Sequence, residues 1–165
     1  MLIDIAEFGF SFLILISVWM GYTNIMSVLP LESGAVVTLN LVLLFLVSIE
    51  PYLFYLNIIF DLSDHAVLLN AASILYALDM AGLMLILALF TYELAREERG
   101  LVPPDLVAHY KHVRDSLFLS AAMFLVTVLP FFWSVKLQDL PLRFYFWLIP
   151  LAISFMTRLS DRLHK

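Results

Sequence analysis

Long continuous runs of apolar residues make up most of the chain, and short polar junctions separate them. The five longest runs cover residues 8–29, 36–59, 65–92, 116–133 and 142–156. The first two exceed the roughly 20 apolar residues that cross a hydrocarbon layer about 30 Å thick. Because backbone polar groups find no water in that layer, a helix is the form that satisfies them within the segment. The pattern predicts an all-α, polytopic membrane helical bundle with five transmembrane helices in a single domain.

The junction residues predict where the third and fourth helices begin and end. Ser63 or Asp64 is the expected N-cap of the third helix, since either side chain can accept hydrogen bonds from exposed backbone amides. We expect this helix to continue beyond the membrane as far as Arg99, with Gly100 as its C-cap. Asp105 is then the expected cap of the next helix.

The composition favours a membrane protein and excludes several other classes. Hydrophobic residues are 63% of the chain and the mean hydropathy is +0.98, whereas soluble domains contain about 45–50% apolar residues. The continuous runs differ from the short alternating segments of a membrane β-barrel. The absence of cysteine excludes disulfides and thiolate metal sites. A net charge of −5 argues against a nucleic-acid partner, and nothing indicates a cofactor.

The positions of Lys and Arg predict the orientation, because basic residues stay on the cytoplasmic side. Seven of the nine lie either in the predicted helical connection, residues 93–115, or after residue 156. With five spans, these two regions fall on the same side of the membrane. Only Lys136 and Arg143 fall outside these two regions and do not fit this orientation. The sequence therefore predicts a cytoplasmic C-terminus, a cytoplasmic connection and an N-terminus outside.

Asp79 is the most central ionisable residue of the predicted spans, with the apolar neighbours Leu75, Leu78 and Leu83. An acid at the centre of a membrane helix costs about 2.5–3.5 kcal/mol on insertion scales, so it should face a partner or a wet cavity. Two hypotheses remain open. Asp79 is either a cation or proton site, or a structural acid that is hydrogen-bonded to Tyr76 or to an asparagine of another helix.

Glu50 stands immediately before Pro51 in the second span. A proline leaves the carbonyl four residues earlier, that of Val47, without its helical hydrogen bond, and Ser48 can cover part of this loss. A kink with a freed carbonyl and a nearby acid is typical of ion-coordinating sites in transporters. A simple structural kink is the alternative hypothesis.

Other polar and aromatic residues of the spans are expected to join helices. Asparagine in a membrane most often bonds helix to helix, which is the interpretation for Asn40, Asn57 and Asn70. Trp19 and Tyr22 lie within the first span, where helix packing is the simpler role.

Catalytic and metal-binding patterns do not emerge from the sequence. His109 and His112 have a helical spacing, but no carboxylate follows at the position of a third ligand, so a surface pair is expected rather than a metal site. The chain contains no His-Glu-x-x-His, no glycine-rich phosphate loop and no nucleophile with a nearby base. We therefore expect no enzyme activity and no bound metal.

Two segments of the opening spans resemble a known family. SFLILISVW at residues 11–19 and LNLVLLFLVSIEPY at residues 39–52 are similar to helices two and three of the lysosomal and prokaryotic potassium channels. LYAL at residues 75–78 and the long helix that contains it fit the family as well. Subunits of that family have six helices and lack the usual potassium selectivity-filter loop. The resemblance implies that the five helices here correspond to helices two to six.

The family's signature, an Arg followed by Phe-Ser-Asp in its pore-lining first helix, does not occur in this sequence. Trp19 and Asn40 match positions that help to hold that signature in the family. The family's two histidines after the tryptophan are replaced by Tyr22 and Thr23. The resemblance implies a channel subunit for potassium or another monovalent cation. It also implies a homo-oligomer, tetramer or dimer, embedded in the lipid bilayer of a prokaryotic cell membrane.

Without the family's first helix, another element must line an ion path. Ser11 and Ser17 of the first span are candidates, together with Asp79 and Glu50. Two alternatives differ from the channel hypothesis. The chain is either an accessory or truncated membrane subunit that needs a separate signature helix, or a proton-coupled carrier that uses Asp79.

Overall fold

A computed structural model of the chain describes residues 2–29, 34–62, 66–137, 140–143, 145–150 and 152. The four long helices are α1 (Leu2–Met26), α2 (Gly34–Leu62), α3 (Ala66–Leu94) and α4 (Pro104–Val126). A short helix α5 (Phe131–Ser134) follows, and strands β1 (Lys136–Leu137) and β2 (Leu140–Pro141) form an antiparallel pair. Residues 145–150 are helical again. The predicted all-α class is confirmed, and the expected N-cap at Ser63 or Asp64 lies outside the described residues.

Two helices are long and apolar enough to cross a membrane. The stretches are Gly34–Asn57 within α2 and Val67–Leu94 within α3, and α1 contains a shorter apolar stretch, Phe12–Met26. The outer surface of α2 is apolar too, because Leu41 and Phe45 are each 63% exposed. Exposed apolar surface of this kind is typical of protein–protein or membrane interaction sites. Among the described residues, two of the five predicted spans therefore coincide with helices of this kind.

The connection between α3 and α4 differs from the expected continuous helix. α3 ends at Leu94, one turn of 3₁₀ helix covers Glu97–Arg99, and Gly100 closes that turn with a left-handed φ of 58°. α4 starts at Pro104 instead of after an Asp105 cap, since proline at a first helical position sacrifices no backbone hydrogen bond. Residues 95–103 form a bend, here called the elbow. Burial of Ala95 and Val102 against the bundle holds it in place.

The predicted fourth span, residues 116–133, is also divided. α4 ends at Val126 with Thr127 as its C-cap, and Pro130 then starts α5. A proline lacks the backbone N–H and disfavours helical geometry in the residue before it, so the helix stops ahead of it. The Thr127 hydroxyl donates to the Phe124 carbonyl at 2.6 Å and completes the helix end.

Helix α3 lies at the centre of the bundle and contacts α1, α2 and α4. It packs against α2 in antiparallel fashion, as the pairs Asn57 with Ser73, Phe54 with Tyr76 and Leu46 with Gly82 show. A Cβ atom at Gly82 would lie 2.9 Å from the Leu46 Cδ1 atom. The glycine thus permits the close approach of the two helices at this level.

The buried face of α2 follows a seven-residue repeat. Val36, Leu43, Glu50 and Asn57 are each spaced by seven positions and each is at most 5% exposed. This spacing places them along one line of a helix that packs against a neighbour. The α2–α3 contact line, here called the seam, therefore includes an acid and an amide among its apolar residues.

Candidate functional site

The seam brings Glu50 and Asp79 together near the middle of α2 and α3. Glu50 is 0% exposed and Asp79 is 4% exposed. The two carboxyl groups lie close enough to interact electrostatically. The sequence pointed to each residue separately, and the antiparallel pairing of the helices makes them one acidic pair.

Asp79 differs from an ordinary structural acid. Neither of its carboxyl oxygens has a hydrogen-bond partner among the described residues, although both are shielded from solvent. The hypothesis of a hydrogen bond to Tyr76 or an asparagine is thus not met by any contact within the part of the chain that the structure describes. Burying a carboxyl group without such bonds is unfavourable, and far more so when it is charged. A group of this kind is suited to taking up a cation or a proton.

Tyr76 lies next to the acidic pair; the sequence analysis named it only as a possible hydrogen-bond partner of Asp79. It is 0% exposed, and its hydroxyl lies beside the Glu50 carboxyl. Its ring contacts Phe54 of α2 at a centroid distance of 5.6 Å and Trp147 at 4.8 Å. Contacts on both sides of the ring fix the direction in which the hydroxyl points.

Polar residues recur at every third position of α3, namely Asn70, Ser73, Tyr76 and Asp79, and are here called the polar ladder. Ser73 donates to the Asn57 side-chain oxygen across the seam, and Arg143 Nη1 donates to Asn70 Oδ1 at 3.1 Å. Because an α-helix rises 1.5 Å per residue, the ladder extends about 13 Å along α3. It leads from the N-terminal end of α3 to the acidic pair.

Arg143 and Trp147 attach the segment after the strands to the bundle. Trp147 Nε1 donates to Thr127 Oγ1 at 3.0 Å, and both side chains are buried. Arg143 is 1% exposed, although its position in the sequence suggested a basic residue outside the membrane. Its hydrogen bond to Asn70 places a buried cation at the outer end of the polar ladder.

On the other side of the acidic pair, residues 41–47 of α2 and 80–90 of α3 contain no polar side chain. Leu43 of α2 with Leu83 and Leu87 of α3 are at most 5% exposed. Asn40 lies in this half, and its Oδ1 is buried without a hydrogen-bond partner among the described residues. The helix-joining role expected for Asn40 therefore has no partner there, whereas Asn57 and Asn70 do bond to other segments.

The remaining candidates lie on α1. Ser17 is half-buried, and the Ser11 side chain lies outside the described part of the chain. Tyr22 contacts Phe90 of α3 at a centroid distance of 6.4 Å, which agrees with a packing role. Trp19 contacts Tyr22 at 5.8 Å but is 62% exposed, so it faces outward.

Helix α2 continues through Pro51 without a break. Ser48 donates to the Leu44 carbonyl at 2.7 Å, rather than covering the Val47 carbonyl that the proline frees. The contribution of Glu50 to the site thus comes from its place on the seam.

The elbow carries exposed ion pairs. Glu93 contacts Arg99 at 2.8 Å, and Glu97 contacts Lys111 at 2.7 Å. The hydrogen bond and charge of Lys111 hold the pKa of the Glu97 carboxyl below its usual value. His109 and His112 are exposed on α4, and no group of three or more possible metal ligands occurs within the described ranges.

Comparison of the chain with protein-family models, with curated proteins and with solved structures finds no match in any of the three. The functional argument therefore rests on the residues of the seam. Sequence analysis missed the roles of Ser73 and Arg143, and it named Tyr76 only as a possible hydrogen-bond partner of Asp79. The three-residue spacing of polar side chains along α3 is the signal that identifies Ser73 and Tyr76.

Proposed function

We propose that the chain is an integral membrane subunit that moves a monovalent cation, with Glu50 and Asp79 as the acidic step of the path. The observation that carries this proposal is Asp79, a buried carboxyl without a hydrogen-bond partner beside a second buried carboxyl. Ionisable residues inside a membrane bundle are unfavourable, and they typically mark ion pathways or proton relays. A purely structural acid would gain by being hydrogen-bonded.

In the proposed arrangement, five helices cross the membrane, with the C-terminus and the elbow in the cytoplasm. The placement of seven basic residues supports this orientation. The subunits form a homo-oligomer, tetramer or dimer, since closed rotational symmetry is the usual form of such assemblies. Potassium is the ion that the resemblance of the opening spans favours, and the channel it implies is of the lysosomal and prokaryotic type.

A second candidate, a proton-coupled carrier, is favoured by one specific feature. Glu50, Tyr76 and Asp79 are at most 4% exposed, so the acidic pair has little contact with solvent. Such a site suits a proton, which needs no coordination shell. An accessory subunit without a path of its own is the remaining alternative.

The test is ion flux through the purified chain in liposomes, with potassium and proton movements measured separately. We expect flux of at least one of these ions, and a loss of about tenfold or more in Asp79→Asn and Glu50→Gln, as for groups that act directly on the ion. Asp115→Asn on the surface of α4 is the matched control, since the same chemical change there touches only the exposed pair with Arg114. Its flux should equal that of the unmodified chain.

Two results would overturn the proposal. If the unmodified chain moves neither ion, the accessory role is the correct one. If both acid variants keep full flux while their thermal stability falls, the acidic pair is structural.

A further inference from the structure

We infer that the acidic pair exchanges protons with the water on the side of the α2–α3 connection, through the polar ladder, and that an apolar layer closes it from the side of the elbow. This inference rests on the proposed cation-moving function and names both the ion and the direction of its access. Asp79 is the residue at which the two halves of the seam meet.

The first support is the continuity of polar groups on one side. From Asn70 to Asp79, α3 presents a polar side chain every three residues, and α2 adds Asn57 and Glu50 at the same levels. Successive members are about 4.5 Å apart along the helix axis. The hydrogen bond of Ser73 with Asn57 and the approach of the Tyr76 hydroxyl to Glu50 bring the inner part of the ladder to α2. The ladder therefore supplies donors and acceptors from the end of α3 to the acidic pair.

The second support is the chemistry of these groups. The hydroxyls of Ser73 and Tyr76 can accept a proton on one side while releasing another, so they carry no net charge after the transfer. A carboxylate of the pair gains the proton that the water outside loses. Two carboxyl groups in one dry site are most stable when they share a proton, because two adjacent negative charges repel each other.

The close packing of the site argues for a proton rather than a metal cation. Asn57, Ser73, Tyr76 and Asp79 are all at most 4% exposed, and a direct hydrogen bond joins the first two. A potassium ion needs a ring of oxygens that replaces its hydration shell. A proton needs only a chain of hydrogen-bonding groups.

The third support is the apolar layer on the opposite side. The eleven residues of α3 that follow Asp79, residues 80–90, contain no polar side chain, and neither do residues 41–47 of α2. Eleven residues of helix cover about 16 Å. Leu43, Leu83 and Leu87 are buried in this layer. Water and ions are excluded from such a contact, as they are from an apolar constriction.

Among the described residues, the charged and titratable groups along this route come from three segments. Glu50 faces the pair from α2, and Tyr76 and Asp79 face it from α3. Arg143, from the segment after the strands, lies at the outer end beside Asn70. Its charge offsets part of the negative charge of the pair across the length of the ladder.

The test uses dicyclohexylcarbodiimide, a membrane-soluble reagent that reacts with protonated carboxyl groups. The reagent takes the carboxyl proton on nitrogen, the carboxylate oxygen bonds to its central carbon, and the adduct rearranges to a stable N-acylurea. Peptide mass spectrometry then locates the label. We expect one label per chain, on Asp79 or Glu50, with a rate that changes by up to about tenfold per pH unit, in proportion to the protonated fraction.

Right-side-out and inverted membrane vesicles allow the pH to be changed on one side at a time. A Glu98→Cys variant of this cysteine-free chain identifies the orientation, because Glu98 is 84% exposed on the elbow. External acid should accelerate labelling only in vesicles whose elbow faces the lumen. In Leu83→Asn, which interrupts the apolar layer, acid on either side should accelerate it. Ser73→Ala should slow the response, and the matched control Ser27→Ala, in the turn that follows α1, should not.

Labelling that follows the pH on the elbow side in the unmodified chain would overturn the direction of access. Absence of labelling at acid pH, in a chain whose cation flux still depends on Asp79, would overturn the proton as the ion and leave the proposed function standing. Absence of both labelling and flux would contradict the proposed function and the proton access through the polar ladder together.

Discussion

The elbow and the seam both carry charged side chains, but these side chains differ in their exposure to solvent and in their partners. At the elbow, Glu97 meets Lys111 within 3 Å in contact with solvent, and Glu93, at the end of α3, meets Arg99 of the elbow with a side chain that is 24% exposed. On the seam, Glu50 and Asp79 lie side by side in the interior, and Asp79 makes no hydrogen bond to any described residue. Exposed pairs contribute little to stability, whereas buried like charges lower it. The seam acids therefore need a compensating role, which the proposed function supplies, whereas the elbow charges need none.

The largest effect is expected from Tyr76→Ala. Removing this fully buried ring should lower the free energy of unfolding by about 3–5 kcal/mol, because a cavity remains between Phe54 and Trp147. Tyr92→Ala on the same helix is the control, since that ring is 44% exposed. Denaturant unfolding in detergent micelles measures both, and equal losses would contradict the central place of Tyr76 in the seam.

Gly82→Val should cost about 1–3 kcal/mol of unfolding free energy, because the new side chain meets Leu46 in a packed seam. Gly21→Ala is the matched test on α1, where the nearest atom, Leu87 Cδ1, lies 3.5 Å from the added Cβ. This change should stabilise the chain by up to about 1 kcal/mol through helix propensity. A Gly82→Val chain as stable as the original would show that α2 and α3 separate easily.

Ser73→Ala should cost about 0.6–1.7 kcal/mol, the range for hydrogen bonds between membrane helices. The loss should shrink when Asn57→Leu has already removed the acceptor, because the two side chains bond to each other. Unfolding of the two single variants and the double variant gives the coupling. Additive losses would mean that the bond does not link the helices.

At the elbow, Arg99→Ala should cost only about 0.2–1 kcal/mol, since the pair with Glu93 is partly exposed. High salt should erase the difference, because it screens surface charges. Thermal unfolding at low and high ionic strength checks this. A loss of unfolding free energy in Arg99→Ala as large as that in Ser73→Ala would contradict the difference between elbow and seam.

The smallest effect concerns Glu97 and Lys111. Lys111→Met should raise the pKa of Glu97 towards its ordinary value, because the ammonium that lowers it is gone. A carboxyl whose folded pKa is lowered adds stability above its unfolded pKa and loses that contribution as the pH falls through the folded pKa. Carboxyl carbon NMR across acid pH follows the titration. An unchanged titration would show that the pair does not persist in solution.

The sequence predicted the positions of α2 and α3 because apolar length alone determines where membrane-length helices lie. The predicted spans at residues 36–59 and 65–92 differ from α2 and α3 by only a few residues at each end. The sequence did not predict that α3 ends before the elbow, because residues 93–99 contain strong helix formers and no helix breaker. Burial of Ala95 and Val102, a tertiary effect, decides the bend instead.

The candidate site was predictable only in parts. Asp79 and Glu50 stand out because acids inside apolar runs are rare. Their pairing depends on the register between α2 and α3, which the Gly82–Leu46 contact helps to set. Arg143 disagreed with the orientation drawn from the positive-inside rule, because the rule counts charges and does not register a hydrogen-bonded partner such as Asn70.

The antiparallel seam also has a consequence for biogenesis. α2 precedes α3 in the chain, so in the proposed membrane arrangement Glu50 would meet the lipid before the helix that buries it has emerged from the ribosome. Only the arrival of α3, with Ser73 meeting Asn57 close to the connection, encloses the acid. We therefore expect the two helices to be integrated as one hairpin, held by the insertion machinery until both are present. A nascent chain arrested before Ser73 should remain bound to that machinery, and release of α2 alone into the bilayer would contradict this order of events.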